Sequence, residues 1–372
     1  ALGPIQNADV TFGDLTVLVG PQATGKSLFV RLYQAIQDAA AVAGQLERFG
    51  VDETNITDPV SSYCAFYFGA GYDDVWTPNT QVVCDGRRID PMELAKPNPK
   101  ARAESSFCIP SQRSLALQGG WPKPFTALAG HPYSIRHFSE CIRTFVEGLP
   151  DGEMRDLISL PDLQTAIAGS IYGSSTLELE RAGMGRRIVL KSPGSSSVLP
   201  NGSWSGGQRE FTPLLLGLAA CASEAAGAHT KTVILENPEM GLHPEAVLSE
   251  GLLVLELLAR NHRVILSTHS PVVLDLAWAI RELSAVKVDI GIAALCRIFV
   301  LDKPSTSVLD IFAVVLRKDY RTYFFNRADS GVVTEDISAL DPGSANEDVA
   351  GWGGLSGVSG RIARIVGDVV GR

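Results

Sequence analysis

The chain has no closely spaced cysteine pair. Its six cysteines (Cys64, Cys84, Cys108, Cys141, Cys221 and Cys296) stand singly, which argues against a CxxC zinc or redox site and against a disulfide framework. A long apolar run is also missing: the most apolar stretch, Leu214 to Ala222, stops at Ser223 and Glu224, well short of the ~20 residues that span a bilayer. No membrane partner is expected. No charged segment followed by an apolar one opens the chain, and a first residue of Ala rather than Met reads as a trimmed or processed terminus. The expected setting is a reducing cytoplasm. Positive charge is short as well, with 32 Lys and Arg against 41 Asp and Glu and a net charge of −9. That balance excludes the overall field of a general nucleic-acid binder, so any basic surface must be local. Sustained heptads and internal repeats are lacking too, which rules against a long coiled coil.

What remains is a 372-residue chain, 45% hydrophobic, long enough to bury roughly three quarters of its unfolded surface. The opening reads as strands Asp9 to Phe12 and Leu15 to Val19, a Gly-rich loop, and a helix from Lys26 to Leu46. From Asp52 to Pro200 the pattern is less regular, with strand-like runs Tyr63 to Phe68 and Thr176 to Leu179, a Pro-rich stretch Pro91 to Pro99, and a helix near Arg136 to Leu149. Periodicity returns as a helix Gly207 to Ala226, strand Thr232 to Leu235, helix Pro244 to Arg260 and strand Val264 to Ser267. A hairpin Tyr320 to Ile337, turning at Ala328 to Gly331, and a last helix near Ser359 to Val370 follow. This alternation predicts an α/β fold, a mostly parallel sheet flanked by helices with a mid-chain α+β insertion. The expected division is 1–51 with 200–372 as one nucleotide-binding domain, and 52–199 as the inserted coupling region.

Three segments carry chemistry. Gly20-Pro21-Gln22-Ala23-Thr24-Gly25-Lys26-Ser27 matches GxxxxGK[ST] between an apolar strand and a helix. There, backbone N–H groups (through Leu28) and the helix dipole cradle phosphates, Lys26 neutralises them and Ser27 offers a hydroxyl to Mg²⁺. Thr232 to Glu239 is an apolar strand ending in carboxylates, with Glu236 the expected metal-side acid. Ser205-Gly206-Gly207-Gln208 opens a helix, an arrangement that serves equally as an anion-binding end or as an ordinary N-cap. His269 ends the strand Val264 to Ser267.

Taken in order, these segments resemble the P-loop, signature, acidic strand and switch histidine of ATP-binding-cassette (ABC) ATPases. Glu236-Asn237-Pro238-Glu239-Met240-Gly241-Leu242-His243-Pro244, Ser267-Thr268-His269-Ser270-Pro271, Ile109-Pro110-Ser111-Gln112-Arg113-Ser114 and Gly351-Trp352-Gly353-Gly354-Leu355 are similar to the soluble ABC-type AAA ATPases of the OLD and RecF-like group. The resemblance implies ATP and Mg²⁺ as cofactors and a head-to-tail homodimer formed on ATP. In that dimer Ser205, Gly206, Gly207 and Gln208 of one subunit cover the nucleotide held by the other. It further implies Gln112 as the Q-loop glutamine, touching nucleotide and metal, and Glu236, Glu239 and His269 at the reaction centre. One position departs: Asn237 stands where the pattern has a glutamate, and an amide cannot accept a proton as general base. Either Glu239 substitutes as the base, or His269 and Glu236 position the water without a strong base and leave a slow ATPase that works as a switch.

For partners, the same resemblance implies a genome-maintenance or phage-defence role beside a nuclease or toxin. Alternatives are a nucleotide-gated scaffold that sequesters such an effector, a RecF-like DNA-repair loader, and a transporter cassette. No Toprim-like acidic cluster follows the hairpin, so nuclease activity is not expected of this chain. DNA contact rests on a local basic excess: Lys96, Lys100, Arg102, Arg113, Lys123, Arg136 and Arg143 against Glu104 and Glu140, joined by Arg181, Arg186, Arg187 and Lys191.

Overall fold

A computed structural model describes residues 2–48, 58–95, 104–154, 157–158, 160–183, 185–195, 197–222 and 230–355, with 362, 365, 366 and 368. Its centre is a seven-stranded sheet. The strands, in chain order, are β1 (Ile5–Asn7), β2 (Leu15–Val19), β3 (Ser106–Ile109), β6 (Thr232–Glu236), β7 (Arg263–Ser267), β8 (Tyr320–Ala328) and β9 (Gly331–Asp336); β4 (Thr176–Ala182) and β5 (Gly185–Lys191) lie elsewhere. Across the sheet the order is β1-β9-β8-β2-β7-β6-β3. Every neighbour pair is parallel except the hairpin β8–β9. Strands β2 and β6 are buried at all their residues, as expected where helices cover both faces.

The period of two sorts the side chains. Val17, Val19, Ile109, Val233, Leu235, Val264 and Leu266 join the larger core, while Leu18, Cys108, Ile234 and Ile265 join a second one on the opposite face with Val30 and Tyr33 of α1. Helix α1 (Lys26–Gln37) stops at Asp38 and α2 (Ala39–Arg48) starts beyond it, so the single helix expected over Lys26 to Leu46 is two. Asp38 is spent elsewhere. Its carboxylate accepts Ser105 N–H at 2.7 Å, Ser106 N–H at 3.1 Å and both serine hydroxyls, pinning the start of β3.

Three further expectations need correcting. Asp9 to Phe12 is not a strand; the pairing begins four residues earlier, where Ile5 and Asn7 join β9. Tyr63 to Phe68 lies in helix α3 (Pro59–Phe68), because Asp58 caps Val60 and Ser61 N–H and Pro59 occupies the first turn, and these signals outweigh aromatic strand propensity. Strand β3 comes from inside the span set aside as an insertion, and forms the sheet edge beside β6. Most of the last helix near Ser359 to Val370 lies outside the described residues.

The other face carries α4 (Tyr133–Glu147), α5 (Gly206–Ala222), α6 (Pro244–Ala259) and α7 (Pro271–Ser284). Strands β4 and β5 pair antiparallel and, with Gly152–Glu153 and Val198–Pro200, make a separate four-stranded sheet. No described helix is long and apolar enough to cross a membrane.

Candidate nucleotide site

Because β2, β3, β6 and β7 run parallel, their carboxyl ends emerge along one edge, the position where open α/β sheets bind ligands. Four of the sequence segments arrive there together: the loop after Val19, Ser111 and Gln112 after Ile109, Glu236 itself, and Thr268 and His269 after Ser267.

The loop after β2 is built to expose backbone. Gly20 has φ 142°, Ala23 60° and Gly25 86°. A Cβ on Gly20 would stand 2.6 Å from the Phe325 carbonyl oxygen, and one on Gly25 2.8 Å from Ile5 Cγ1, so only glycine fits at either. Gly25 caps α1 without a side chain, leaving the helix's first N–H groups to the loop. Lys26 is 6% exposed; its ammonium donates to the carbonyls of Gly20 (2.7 Å) and Pro21 (2.8 Å), and burial lowers its pKa to about 8. Thr24 Oγ1 donates to Pro21 O at 2.8 Å, and Arg327 of β8 donates to Gln22 O at 2.9 Å. Pro21, Gln22 and Ala23 are exposed, Ser27 is half-buried at the helix start, and Leu28 packs its side chain into the core, leaving only its backbone to the loop.

Glu236 is fully buried and not free. Arg31, one turn beyond Ser27, grips it with two bonds, Nε to Oε1 at 3.1 Å and a terminal nitrogen to Oε2 at 3.0 Å, while Ser111 N–H reaches Oε2 at 3.3 Å. Gln112 is exposed at the start of a short 3-10 turn. Its neighbour Arg113 is wholly buried and donates to the carbonyls of Glu210, Glu236, Asn237 and Pro238 at 2.8–3.2 Å, clamping the end of β6 to α5. Arg31 was assigned no role from sequence, and Arg113 was counted only in the basic excess. Each acts on backbone or side chain more than 90 residues away, and the signal available was only an Arg beside the motif.

Asn237 sits at φ 45°, a left-handed conformation that Asn tolerates better than Glu. Its N–H donates to Ser267 O at 2.8 Å, tying β6 to β7. Glu239 Oε1 accepts His269 N–H at 2.8 Å, and its Oε2 is buried without a hydrogen-bond partner. Behind it lies Glu250 of α6, also buried; burial and then the nearby Glu239 push its pKa up to about 8, against the pull of Arg113. Burial and then Lys26 hold the His269 imidazole below its ordinary pKa, with Glu239 opposing. Near neutrality it is therefore an acceptor as well as a donor.

The signature segment behaves first as a cap. Ser205 Oγ accepts Gln208 N–H at 3.3 Å and Gln208 Oε1 accepts Ser205 N–H at 3.0 Å, a reciprocal capping box, while Gln208 Nε2 donates to Ile171 O. Ser205 and Gly206 are exposed. Gly207 packs on the turn after β6: a Cβ there would lie 2.8 Å from the Gly241 carbonyl oxygen.

Among the described residues, most of the basic excess is buried or paired. Lys96, Lys100 and Arg102 lie outside the described residues. Arg113 is buried, and Arg136 is 8% exposed, stacked over Phe125 and Phe66 at 4.0 and 4.9 Å. Arg143 is paired with Glu140 and Glu147, Arg181 and Arg186 with Asp151, Arg187 with Glu180, and Lys191 with Glu178.

Residues 142–275 match the family model described as "AAA domain, putative AbiEii toxin, Type IV TA system". The match takes in Ser205–Gln208, Glu236, Asn237, Glu239 and His269 and leaves out the loop 20–27. No curated protein matches the chain. Among solved structures the chain is similar to an SMC head bound to the C-winged helix domain of ScpA, at 13% identity and TM-score 0.40, over 88% of this chain and 91% of that one. It is also similar to the SMC head domain from Thermotoga maritima, at 12% identity and TM-score 0.35, over 88% and 92%.

Proposed function

We propose that this chain, a P-loop ATPase of the ABC-like AAA type, binds ATP between two copies of itself and hydrolyses it slowly, acting as a nucleotide-gated switch. The observation that carries the reading is the convergence of the loop 20–27, Gln112, Glu236 and His269 on one sheet edge, with Ser205 and Gly206 left exposed for a second copy. The glycine-only loop and its buried ammonium fit a phosphate chain, since backbone N–H groups and a cation face the same hollow. Ser27 and Glu236 would hold Mg²⁺, which neutralises charge on the phosphates when bound. Glu236 shares its negative charge with Arg31, so the guanidinium and the metal compete for one carboxylate.

The same geometry favours slow turnover. Asn237 offers no proton acceptor, and the nearest carboxylate along the turn, Glu239, is already engaged by His269 N–H. His269, neutral near pH 7, orients an attacking water without being a strong base. Residues 52–199, apart from β3 and the Ser111–Arg113 turn, are the region through which nucleotide state reaches a partner. The toxin–antitoxin wording of the matched family model fits an effector as that partner, in a cytoplasmic setting.

Lys26→Ala should leave the circular dichroism of the chain unchanged and weaken ATP binding more than about a hundredfold, since charge-assisted hydrogen bonds are worth roughly 1.5–3 kcal/mol each. In sedimentation, ATP should convert wild type to a dimer and fail to do so in Ser205→Arg. Full nucleotide affinity in the first variant removes the phosphate site; one oligomeric state with and without ATP removes the shared one.

A further inference from the structure

Away from the nucleotide site, α4 carries an array of polar groups that the ATPase reading does not use. His137 and Cys141 stand one turn apart on that helix, with His137 Nε2 3.3 Å from Cys141 Sγ. The other ring nitrogen, Nδ1, lies 3.3 Å from Glu104 Oε2, just before β3, and Tyr133 donates its hydroxyl to Glu104 Oε1. The imidazole plane is fixed: Tyr133 stacks on it at 4° and 5.5 Å, and Phe107 meets it edge-on at 6.3 Å. The sulfur also lies 4.0 Å from Nδ1, so thiol, imidazole and carboxylate form one contiguous cluster that sets a base beside a sulfur nucleophile.

We propose that Cys141 is a nucleophilic thiol and a modification site, taking small disulfides and other soft electrophiles, with His137 its proton holder and Glu104 the residue that positions His137. The charge balance around the ring agrees with this. Burial works against a charged imidazole, but Cys141, Glu104 and Asp38 outweigh it and raise the His137 pKa to about 10. The sulfur therefore faces a nitrogen that carries a proton through the physiological range. Groups facing the pair are Asp38 from the α1–α2 junction, Glu104 before β3, Tyr133 and Glu140 on α4 itself and Cys221 on α5.

The other cysteines lack this arrangement. Cys64, Cys108 and Cys221 are buried, and burial raises their thiol pKa; Cys84 and Cys296 are half-buried with raised pKa and no imidazole within hydrogen-bonding reach among the described residues. Cys141 is half-buried and reachable. The step is thiol–disulfide exchange with a low-molecular-weight disulfide. The Cys141 sulfur attacks one sulfur of the reagent, the reagent's S–S bond breaks as the new one forms, and the departing thiolate leaves with the proton held on His137 Nε2. No net oxidation of the pair of reactants occurs.

The test is alkylation by iodoacetamide and exchange with oxidised glutathione on the intact native chain, followed by peptide mapping of all six cysteines. Cys141 should react at least about tenfold faster than Cys84 or Cys296 near pH 7. His137→Asn should slow Cys141 by about tenfold and alter its rate–pH profile while leaving that of Cys84 unchanged, and Glu104→Gln should slow it less. Equal labelling of Cys141 and Cys84, or a rate that His137→Asn leaves unchanged, overturns the proposal. If the His137 variant does not fold, the ratio of Cys141 to Cys84 labelling in the wild type decides alone.

Discussion

Asn237 has two physical readings, and its backbone separates them. As chemistry, the amide removes a general base; as conformation, it is the side chain that best tolerates φ 45° outside glycine. Asn237→Gly should therefore hold the unfolding free energy within a few tenths of a kcal/mol, while Asn237→Glu should lose about 1 kcal/mol to left-handed strain. Urea titration of both variants checks this. With the glutamate in place, turnover at saturating Mg²⁺ should rise by roughly 10² or more, the usual return from a positioned base. An unstrained glutamate variant contradicts the conformational reading, and unchanged turnover contradicts the catalytic one.

Glu250 gives the chain a pH signature with a defined sign. Its folded pKa, about 8, lies above the ordinary carboxylate value, so the native state holds a proton the unfolded chain releases near pH 4.5. The stabilisation from that proton is complete below pH 4.5 and gone once the pH passes about 8. Glu250→Gln, which keeps the shape and removes the titration, should flatten the fall in melting temperature across this window. An identical fall in wild type and variant assigns the loss to other groups. Neither Glu250 nor Arg31 was visible in the sequence, and the clamping role of Arg113 was not, since a charged residue carries no mark of what it faces.

At the scale of elements, Asp38 joins what the chain separates. It breaks one helix into two and spends its carboxylate on two consecutive serines where β3 begins, 67 and 68 residues further on. Asp38→Ala should cost about 2–4 kcal/mol in chemical denaturation, because several hydrogen bonds to a charged acceptor are lost and two buried donors are stranded. Ser105→Ala, removing one hydroxyl, should cost about 1 kcal/mol or less. Equal losses in the two variants would point to α1–α2 geometry instead. Here the sequence was legible where one signal dominated: β2, β6, β7 and the hairpin fall close to where alternation and turn residues put them. It misled where signals competed. Aromatic composition over Tyr63 to Phe68 suggested a strand, and the Asp-Pro cap made a helix. Unbroken helical propensity over Lys26 to Leu46 concealed a break that only a distant strand explains.

At the scale of the whole molecule, several basic residues are met by pairing: Arg143, Arg181, Arg187 and Lys191 stand against Glu147, Asp151, Glu180 and Glu178, which neutralise them locally. Exposed pairs of this kind contribute little to stability, roughly 0–1 kcal/mol each, but they shorten the reach of the positive field.

The strand order also bears on how the chain is made. Strand β2, which leads into the phosphate loop, pairs with β7 and β8, and β1 pairs with β9, so the amino-terminal strands find their neighbours only in the last third of the sequence. At ~5–20 residues per second a ribosome needs roughly 15–60 s to deliver those partners after Leu15 to Val19 has appeared. Through that interval a largely apolar segment waits with both edges unpaired, a condition that invites association with other chains and slows closure of the sheet. A nascent chain of this topology is therefore a natural client for holding chaperones, and the nucleotide loop is among the last parts of the molecule to acquire its shape.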